Sequence, residues 1–127
     1  MIEPGAVFEI PAPLAAPPQR SHQDNPPDRQ SRWVVVVSSQ ADCDDPGCMN
    51  VLSVLLSTRV DLAGPFDVVV LPPTGGVRRP SIAQTDIVVT VDKRDISGPM
   101  NGARYRGTVL ADTLRQIKAL LKARMDV

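Results

Sequence analysis

Two short groups of residues in this sequence have the side chains that phosphate chemistry requires. Arg32 immediately precedes one valine-rich apolar run, and the triplet Ser57, Thr58 and Arg59 immediately follows another. A guanidinium matches the geometry of a phosphate and keeps its charge, while a hydroxyl can hydrogen-bond the same oxygens. Together they can stabilise the charge that develops on a phosphate during transfer. Taken alone, such residues at strand ends are more often ordinary surface residues.

The residue patterns of the common hydrolases are absent from the sequence. His22, the single histidine, lies in a Pro/Gln/Asp-rich stretch without a GxSxG or nucleophilic-cysteine context, and neither HExxH nor GxxxxGK[ST] occurs. Cys43 and Cys48 bracket an acidic segment and lack the paired cysteines and histidines of a zinc site. We therefore expect free thiols, no metal and no cofactor.

Length and composition point to one compact domain covering residues 1–127. The chain is 43% hydrophobic, with 14 basic and 14 acidic residues and a formal net charge of zero. A balanced charge provides no global field toward nucleic acid or anionic lipid, although a local basic groove remains compatible with it. The apolar runs are far too short to cross a bilayer, and no signal peptide is evident. We expect a cytoplasmic protein.

Short apolar runs of strand length recur along the chain, and several are rich in valine. Pairs containing glycine or proline separate them, which is typical of turns. We therefore predict a mainly β fold in which a small antiparallel sheet curls into a barrel. The runs are Ala6 to Ile10, Trp33 to Ser38, Val51 to Leu56, Phe66 to Leu71, Ser81 to Ala83 and Ile87 to Val91.

Two further segments depart from the strand pattern. Residues 11–31 are rich in proline, which cannot donate to a strand ladder, and they predict a long mobile loop inserted in the domain. From Leu110 to Leu121, apolar residues recur at helical spacing, with basic residues on the opposite face. This pattern predicts a C-terminal helix over Val109 to Ala123, with Thr108 as its N-cap.

The order of five segments carries a resemblance. A Gly-led strand, Gly5 to Ile10, precedes the strand that Arg32 opens, and Leu56 to Arg59 ends a strand with a hydroxyl-containing triplet. Pro65 to Val68 forms a Pro-hydrophobic-acidic-Val step, and Ser81 to Arg94 contains a glutamine before a short strand and a Thr-Val-Asp-Lys turn. In this order the sequence resembles the MazF/PemK family of toxins from type II toxin-antitoxin systems.

The resemblance implies a fold, a reaction and catalytic residues. The fold is a small SH3-like β-barrel of the PemK/CcdB toxin type. The reaction is the metal-independent, sequence-selective cleavage of single-stranded RNA by the neighbouring 2'-hydroxyl, which leaves a 2',3'-cyclic phosphate and a 5'-hydroxyl. Carried over to this sequence, Arg32 is the catalytic arginine and Ser57 its hydroxyl partner, with Thr58 as the alternative if the triplet is shifted by one position.

Five residues are expected to contact the RNA. Gln84 offers hydrogen bonds, and the arginines offer charge to phosphates, although a pair of arginines beside a glycine turn also suits ordinary solvation. The tryptophan can stack on a base, yet a tryptophan opening an apolar strand more often belongs to the core. These residues are Gln84, Arg59, Arg78, Arg79 and Trp33.

The resemblance also implies partners, and other functions stay open beside it. The partners are single-stranded RNA (mRNA, or tRNA or rRNA), a cognate antitoxin protein and a second copy of the chain, with neither membrane nor DNA as a target. The alternatives are a non-catalytic β-barrel binding module and a degenerate toxin. A topoisomerase-directed toxin of the structurally related CcdB type is disfavoured because the chain ends in Met125-Asp126-Val127 rather than in an aromatic tail.

Overall fold

The computed structural model describes residues 2–11, 31–97 and 103–125. The strands lie in the order β4-β5-β3-β2-β1-β6 in one sheet, and every neighbouring pair is antiparallel. The strands are β1 (Ala6–Pro11), β2 (Ser31–Val36), β3 (Asn50–Ser57), β4 (Asp67–Val70), β5 (Ser81–Asp92) and β6 (Arg104–Thr108). The helices are α1 (Gln40–Asp44), α2 (Lys93–Ser97) and α3 (Ala111–Met125).

The continuous valine run of β2 reflects burial on both faces of the sheet. Val34 and Val36 belong to a core cluster on one face, hereafter the first face, whereas Val35 belongs to a second cluster on the opposite face. Side chains alternate between the two faces of a strand, so a central strand that is covered on both sides needs apolar residues at every position. The second cluster includes Ile117 of α3, so this helix covers the second face.

The two predicted strands at Ser81 to Ala83 and Ile87 to Val91 are one bent strand, β5. Leu55 pairs with Gln84 while its neighbour Val54 pairs with Val88, so residues 85–87 form a bulge in the ladder. Within the bulge, Thr85 donates both its backbone N–H and its hydroxyl to the carbonyl oxygen of Phe66. A bulge bends a strand and increases its twist, which helps this sheet to curl.

The acidic segment predicted as a loop contains the short helix α1. Ser39 caps it, with the Ser39 hydroxyl accepting from the N–H of Asp42 at 3.2 Å. Lys93 donates through Nζ to the carbonyl oxygens of Asp42 and Asp45, which fastens the segment to the start of α2. Both cysteines are free thiols, as predicted, and burial raises the pKa of Cys43.

The C-terminal helix is present, and its N-terminus differs from the prediction. It begins at Ala111, and Thr108 is the last residue of β6 rather than a helix cap, so the predicted cap was wrong. The hydroxyl of Thr108 is engaged by Tyr105 and Glu3 instead. The sequence pattern predicted too early a start for the helix because Val109 is apolar. Val109 packs in the core from the segment that connects β6 to α3.

The mainly β fold with a C-terminal helix is therefore confirmed, as a curled six-stranded half-barrel. Of the predicted loop over 11–31, the end residues Pro11 and Ser31 are paired members of β1 and β2, and residues 12–30 lie outside the described residues. Within the described ranges, no helix combines the length and the apolar character needed to cross a membrane.

Candidate active site

Arg32 and Ser57 meet at one end of the sheet because their strands are neighbours. Trp33 pairs with Leu56 in the antiparallel ladder of β2 and β3, and the same register continued by one residue sets Arg32 opposite Ser57. Directly opposed residues in such a ladder have Cα atoms roughly 4.5–5.5 Å apart. Their side chains also share the first face, since both continue the alternation of its core residues Val34 and Leu55. The fold thus places these two predicted residues opposite each other at the ends of neighbouring strands.

Ser57 is better placed than Thr58 to act beside Arg32. Ser57 is half-buried on β3, and its Oγ accepts the backbone N–H of Arg59 at 3.1 Å. A hydroxyl has one donor and two acceptor sites, so this bond orients Ser57 Oγ while using one site of three. Thr58 is exposed and follows the last residue of β3. The backbone carbonyl oxygen of Thr58 accepts the N–H of Val60. The geometry favours Ser57 as the partner of Arg32.

The guanidinium of Arg32 lies partly below the protein surface. Arg32 is half-buried, its Nε is shielded from solvent, and Ile10 lies opposite it on β1. Charges interact more strongly where water is excluded, so a phosphate at this position would experience more of the arginine charge than at an open surface.

Trp33 is half-buried against the core rather than an open stacking surface. It packs against the second core cluster, and Cζ of Arg106 lies 5.2 Å from its ring centroid. Arg106 also donates through Nε to Glu9 Oε1 at 2.9 Å, and its Nη2 contacts the same oxygen. Glu9 is the cross-strand partner of Trp33, so the three side chains form one stack over β2, β1 and β6. The guanidinium occupies the ring face that a base would need.

Arg59 is bound to a carboxylate. Its Nε and Nη2 donate to the two carboxyl oxygens of Asp61 at 3.1 and 3.0 Å, and the hydrogen bond from Arg59 lowers the pKa of Asp61. A bidentate pair of this kind fixes the guanidinium in one orientation. Arg59 would have to exchange this partner before it could bind a phosphate.

The remaining predicted RNA contacts differ in exposure. Arg78 and Arg79 are exposed in the turn before β5, whose residue Ile82 pairs with Ser57, so they lie at the same end of the sheet as Arg32. Gln84 is buried, at 5% exposure, and contact with RNA would require local rearrangement around it. The arginines and Ser57 thus lie at one end of the sheet, whereas Gln84 is buried.

Sequence reasoning missed the stack of Glu9 and Arg106 because it missed β6. The segment Arg104–Thr108 has only one large apolar residue, Tyr105, so no strand pattern shows in its composition. The one available signal was the small residue Gly107, whose φ of 155° coincides with a register shift between β1 and β6.

Comparisons with known proteins fit this geometry. Residues 5–124 match the family of the PemK-like, MazF-like toxin of type II toxin-antitoxin system. MazF (Form-I) of Deinococcus radiodurans is similar in fold, with a TM-score of 0.67 and 21% identity over 99% of this chain and 97% of that chain. An endoribonuclease from a mycobacterial species gives a TM-score of 0.66 and 17% identity over 99% and 92%.

A chain from a MazE-MazF structure (Form-II) of Deinococcus radiodurans is also similar, with a TM-score of 0.65 and 18% identity over 99% of this chain and 96% of that chain. No curated protein sequence matches the chain. Identities this low demonstrate a shared fold alone, whereas the family match spans nearly the whole chain. This protein belongs to the PemK-like, MazF-like toxins of type II toxin-antitoxin systems, as its sequence pattern predicted.

Proposed function

We propose that this toxin is an endoribonuclease that cuts single-stranded RNA without a metal ion. The observation that supports the proposal most directly is the register that sets Arg32 opposite Ser57 at one end of the sheet. A fixed positive charge beside a hydroxyl is the arrangement that stabilises a phosphate undergoing substitution. The endoribonuclease of similar fold from a mycobacterial species is consistent with this reaction.

The reaction balances without any added reactant. The 2'-hydroxyl oxygen attacks the adjacent phosphorus and loses its proton, the bond from phosphorus to the 5'-oxygen breaks, and that oxygen leaves as a 5'-hydroxyl after gaining a proton. The products are a 2',3'-cyclic phosphate and a 5'-hydroxyl. Arg32 remains protonated, since a guanidinium is not deprotonated in proteins, so its role is to stabilise the negative charge on the phosphorane oxygens. Ser57 hydrogen-bonds the same group.

The partners follow from the family. A toxin of a type II system is paired with an antitoxin protein, and a similar chain occurs in a structure described as MazE-MazF. We propose that a cognate antitoxin inhibits this protein, that two copies form a homodimer, and that the toxin acts in the cytoplasm on mRNA, or on tRNA or rRNA. RNA enters at the end of the sheet that carries Arg32, Arg78 and Arg79.

The test is cleavage of a long single-stranded RNA in EDTA, with the product ends mapped. Wild type is expected to give cyclic phosphate and 5'-hydroxyl ends. Removing Arg32 in Arg32→Ala should slow cleavage by about a hundredfold or more, because one preorganised charge is lost from the transition state. Ser57→Ala should slow it by roughly tenfold to a hundredfold, while the matched variant Thr58→Ala retains near wild-type activity.

Each other outcome has a distinct meaning. RNA binding without cleavage by wild type would replace the nuclease with the non-catalytic binding module or a degenerate toxin. Equal cleavage by wild type and Arg32→Ala would remove Arg32 from the reaction, and loss of activity in Thr58→Ala alone would transfer the hydroxyl role to Thr58.

A further inference from the structure

Tyr105 is a large aromatic side chain that the edge strand β6 presents to solvent. Its exposed fraction is 56%, whereas the tryptophan predicted to stack on a base is half-buried and covered by Arg106. Arg104, which precedes it on β6, is also exposed, and strand alternation directs its side chain to the opposite face. An exposed aromatic ring is a surface on which proteins stack the bases of single-stranded nucleic acid.

The ring of Tyr105 is held at two points. Its edge packs against the Phe8 ring, with centroids 5.7 Å apart and an interplanar angle of 63°. Its hydroxyl and Thr108 Oγ1 are 2.7 Å apart, and Thr108 in turn donates to Glu3 Oε1 at 3.2 Å. Thr108 has one hydroxyl proton, so the Tyr105 hydroxyl is the donor of its bond to Thr108. An exposed ring fixed in this way loses little conformational entropy when a ligand stacks on it.

Tyr105 also lies on the same face of the sheet as Arg32. The strand registers place Tyr105, Phe8 and Val34 in one row across β6, β1 and β2, and Arg32 is two residues from Val34 along β2. Alternation keeps residues two apart on one face. Two strand spacings of about 4.8 Å and two residues of about 3.4 Å therefore separate the Cα atoms of Tyr105 and Arg32 in the sheet. A short stretch of single-stranded RNA can span this distance, and it would pass outside the row because Phe8 and Val34 are buried.

We propose that Tyr105 is a stacking platform for one base of the RNA whose phosphate is cut at Arg32. This inference rests on the proposed function and adds a second contact point, which directs the strand from Arg32 toward the edge of the sheet at β6. Stacking is tolerant of base identity because every base has a π face. Tyr105 therefore contributes affinity and fixes the distance from the bound base to the cut, while base identity is read elsewhere.

The test measures binding to a fluorescein-labelled oligoribonucleotide that spans a mapped cut site and carries a 2'-deoxy nucleotide in place of the attacking hydroxyl. Tyr105→Ala should weaken binding by about 5- to 150-fold, which is the range for losing one base–aromatic stack. Tyr105→Phe keeps the ring and should bind within roughly threefold of wild type. Leu110→Ala, at a 58% exposed apolar residue outside the row, is the matched control and should bind like wild type.

An abasic scan of the oligonucleotide identifies the stacked base. In wild type, one abasic position weakens binding strongly, and that penalty disappears in Tyr105→Ala because the two changes remove the same contact. Circular dichroism and thermal melting of each variant show whether it is folded, and Tyr105→Leu serves as a second aromatic deletion if the alanine variant is unstable.

The outcomes separate this inference from the proposed nuclease. Cleavage by wild type with unchanged binding by Tyr105→Ala and Tyr105→Leu would overturn the stacking platform and leave the nuclease intact. The stacking platform would also be overturned if every abasic position weakened RNA binding equally in the folded variants. That pattern would indicate a general contact with the RNA rather than a contact with one base. Absence of both cleavage and RNA binding in wild type would overturn the proposed function and this inference together.

Discussion

The partner of each arginine decides what that arginine can do in this protein. Arg59 is held by Asp61, and Arg106 is held between Glu9 and the ring of Trp33. Arg32 lies half-buried at a strand end opposite the hydroxyl residue Ser57, and the proposed reaction would use its charge to stabilise the transition state. Residue type alone therefore does not separate structural arginines from functional ones, because all of them carry the same charge.

Arg94 and Asp92 allow this effect of a partner to be measured by titration. Hydrogen bonds from the side chain and the backbone N–H of Arg94 lower the pKa of Asp92 to about 2. The folded pKa lies below the ordinary value of about 3.9, so this pair stabilises the fold above roughly pH 4 and ceases to do so as the pH falls through about 2. NMR titration of the Asp92 carboxyl carbon should give a midpoint of about 2 in wild type and a higher one in Arg94→Ala.

Arg115→Ala is the control for that titration because Arg115 pairs with Asp112 on α3. It should leave the Asp92 midpoint unchanged. A wild-type midpoint near the ordinary aspartate value would contradict the assignment.

Among the elements, β6 depends on a turn that is distant in sequence. The 3₁₀ turn Thr74–Gly76 packs against β6, and Gly75 and Gly76 both have positive φ. A Cβ built on Gly76 would lie 2.1 Å from the backbone oxygen of Arg106, so only glycine allows the two backbones to approach. This contact positions the strand that carries Arg106 and Tyr105.

Gly76→Ala is therefore expected to lower the free energy of unfolding by about 3 kcal/mol or more, because it combines a backbone clash with a strained φ. Urea denaturation measures the loss. Gly64→Ala is the matched control, because its Cβ would meet only Asp67 Oδ2 at 3.9 Å and its φ is not in the left-handed region. Equal stability of the two variants would show that β6 does not depend on this close approach.

Across the whole molecule, the formal net charge is zero, but positive and negative side chains are concentrated at opposite ends of the sheet. The strand ends around Arg32 carry mostly arginine, whereas the opposite end of the sheet, with α1 and α2, carries mostly aspartate. Among the described residues, the first group is Arg32, Arg59, Arg78, Arg79, Arg104 and Arg106 with Glu9 and Asp61, and the second is Asp42, Asp44, Asp45, Asp92 and Asp95 with Lys93 and Arg94. An RNA strand would be attracted to one end and repelled from the other.

Salt dependence of RNA binding tests this polarity. Each phosphate contact in a single-stranded complex contributes about 0.7 to the slope of log affinity against log salt concentration. Arg78→Ala and Arg79→Ala should each reduce the slope by about that amount. Arg94→Ala, at the aspartate end, should leave it unchanged, and an equal reduction in all three variants would indicate non-specific attraction to the whole protein.

Local pattern determined much of this protein from sequence alone. Runs of alternating and fully apolar residues identified five strands, with the two runs of β5 read as separate, and helical spacing identified α3. The order of the segments identified the family, which the match over residues 5–124 confirms. These features are accessible because hydrophobic periodicity and turn residues act over a few neighbouring positions. The assignments of Arg32 and Ser57 as catalytic remain predictions.

Tertiary structure decided what depends on partners far apart in the chain. The strand β6 has no apolar pattern of its own and exists because β1 pairs with it. Strand register and sheet order decide three features of the site. Gln84 is buried, the guanidinium of Arg106 lies over the Trp33 ring, and Tyr105 shares a face of the sheet with Arg32. Register is set by packing across the whole sheet, and a shift of one residue would turn each side chain to the other face, so no local stretch of sequence can specify it.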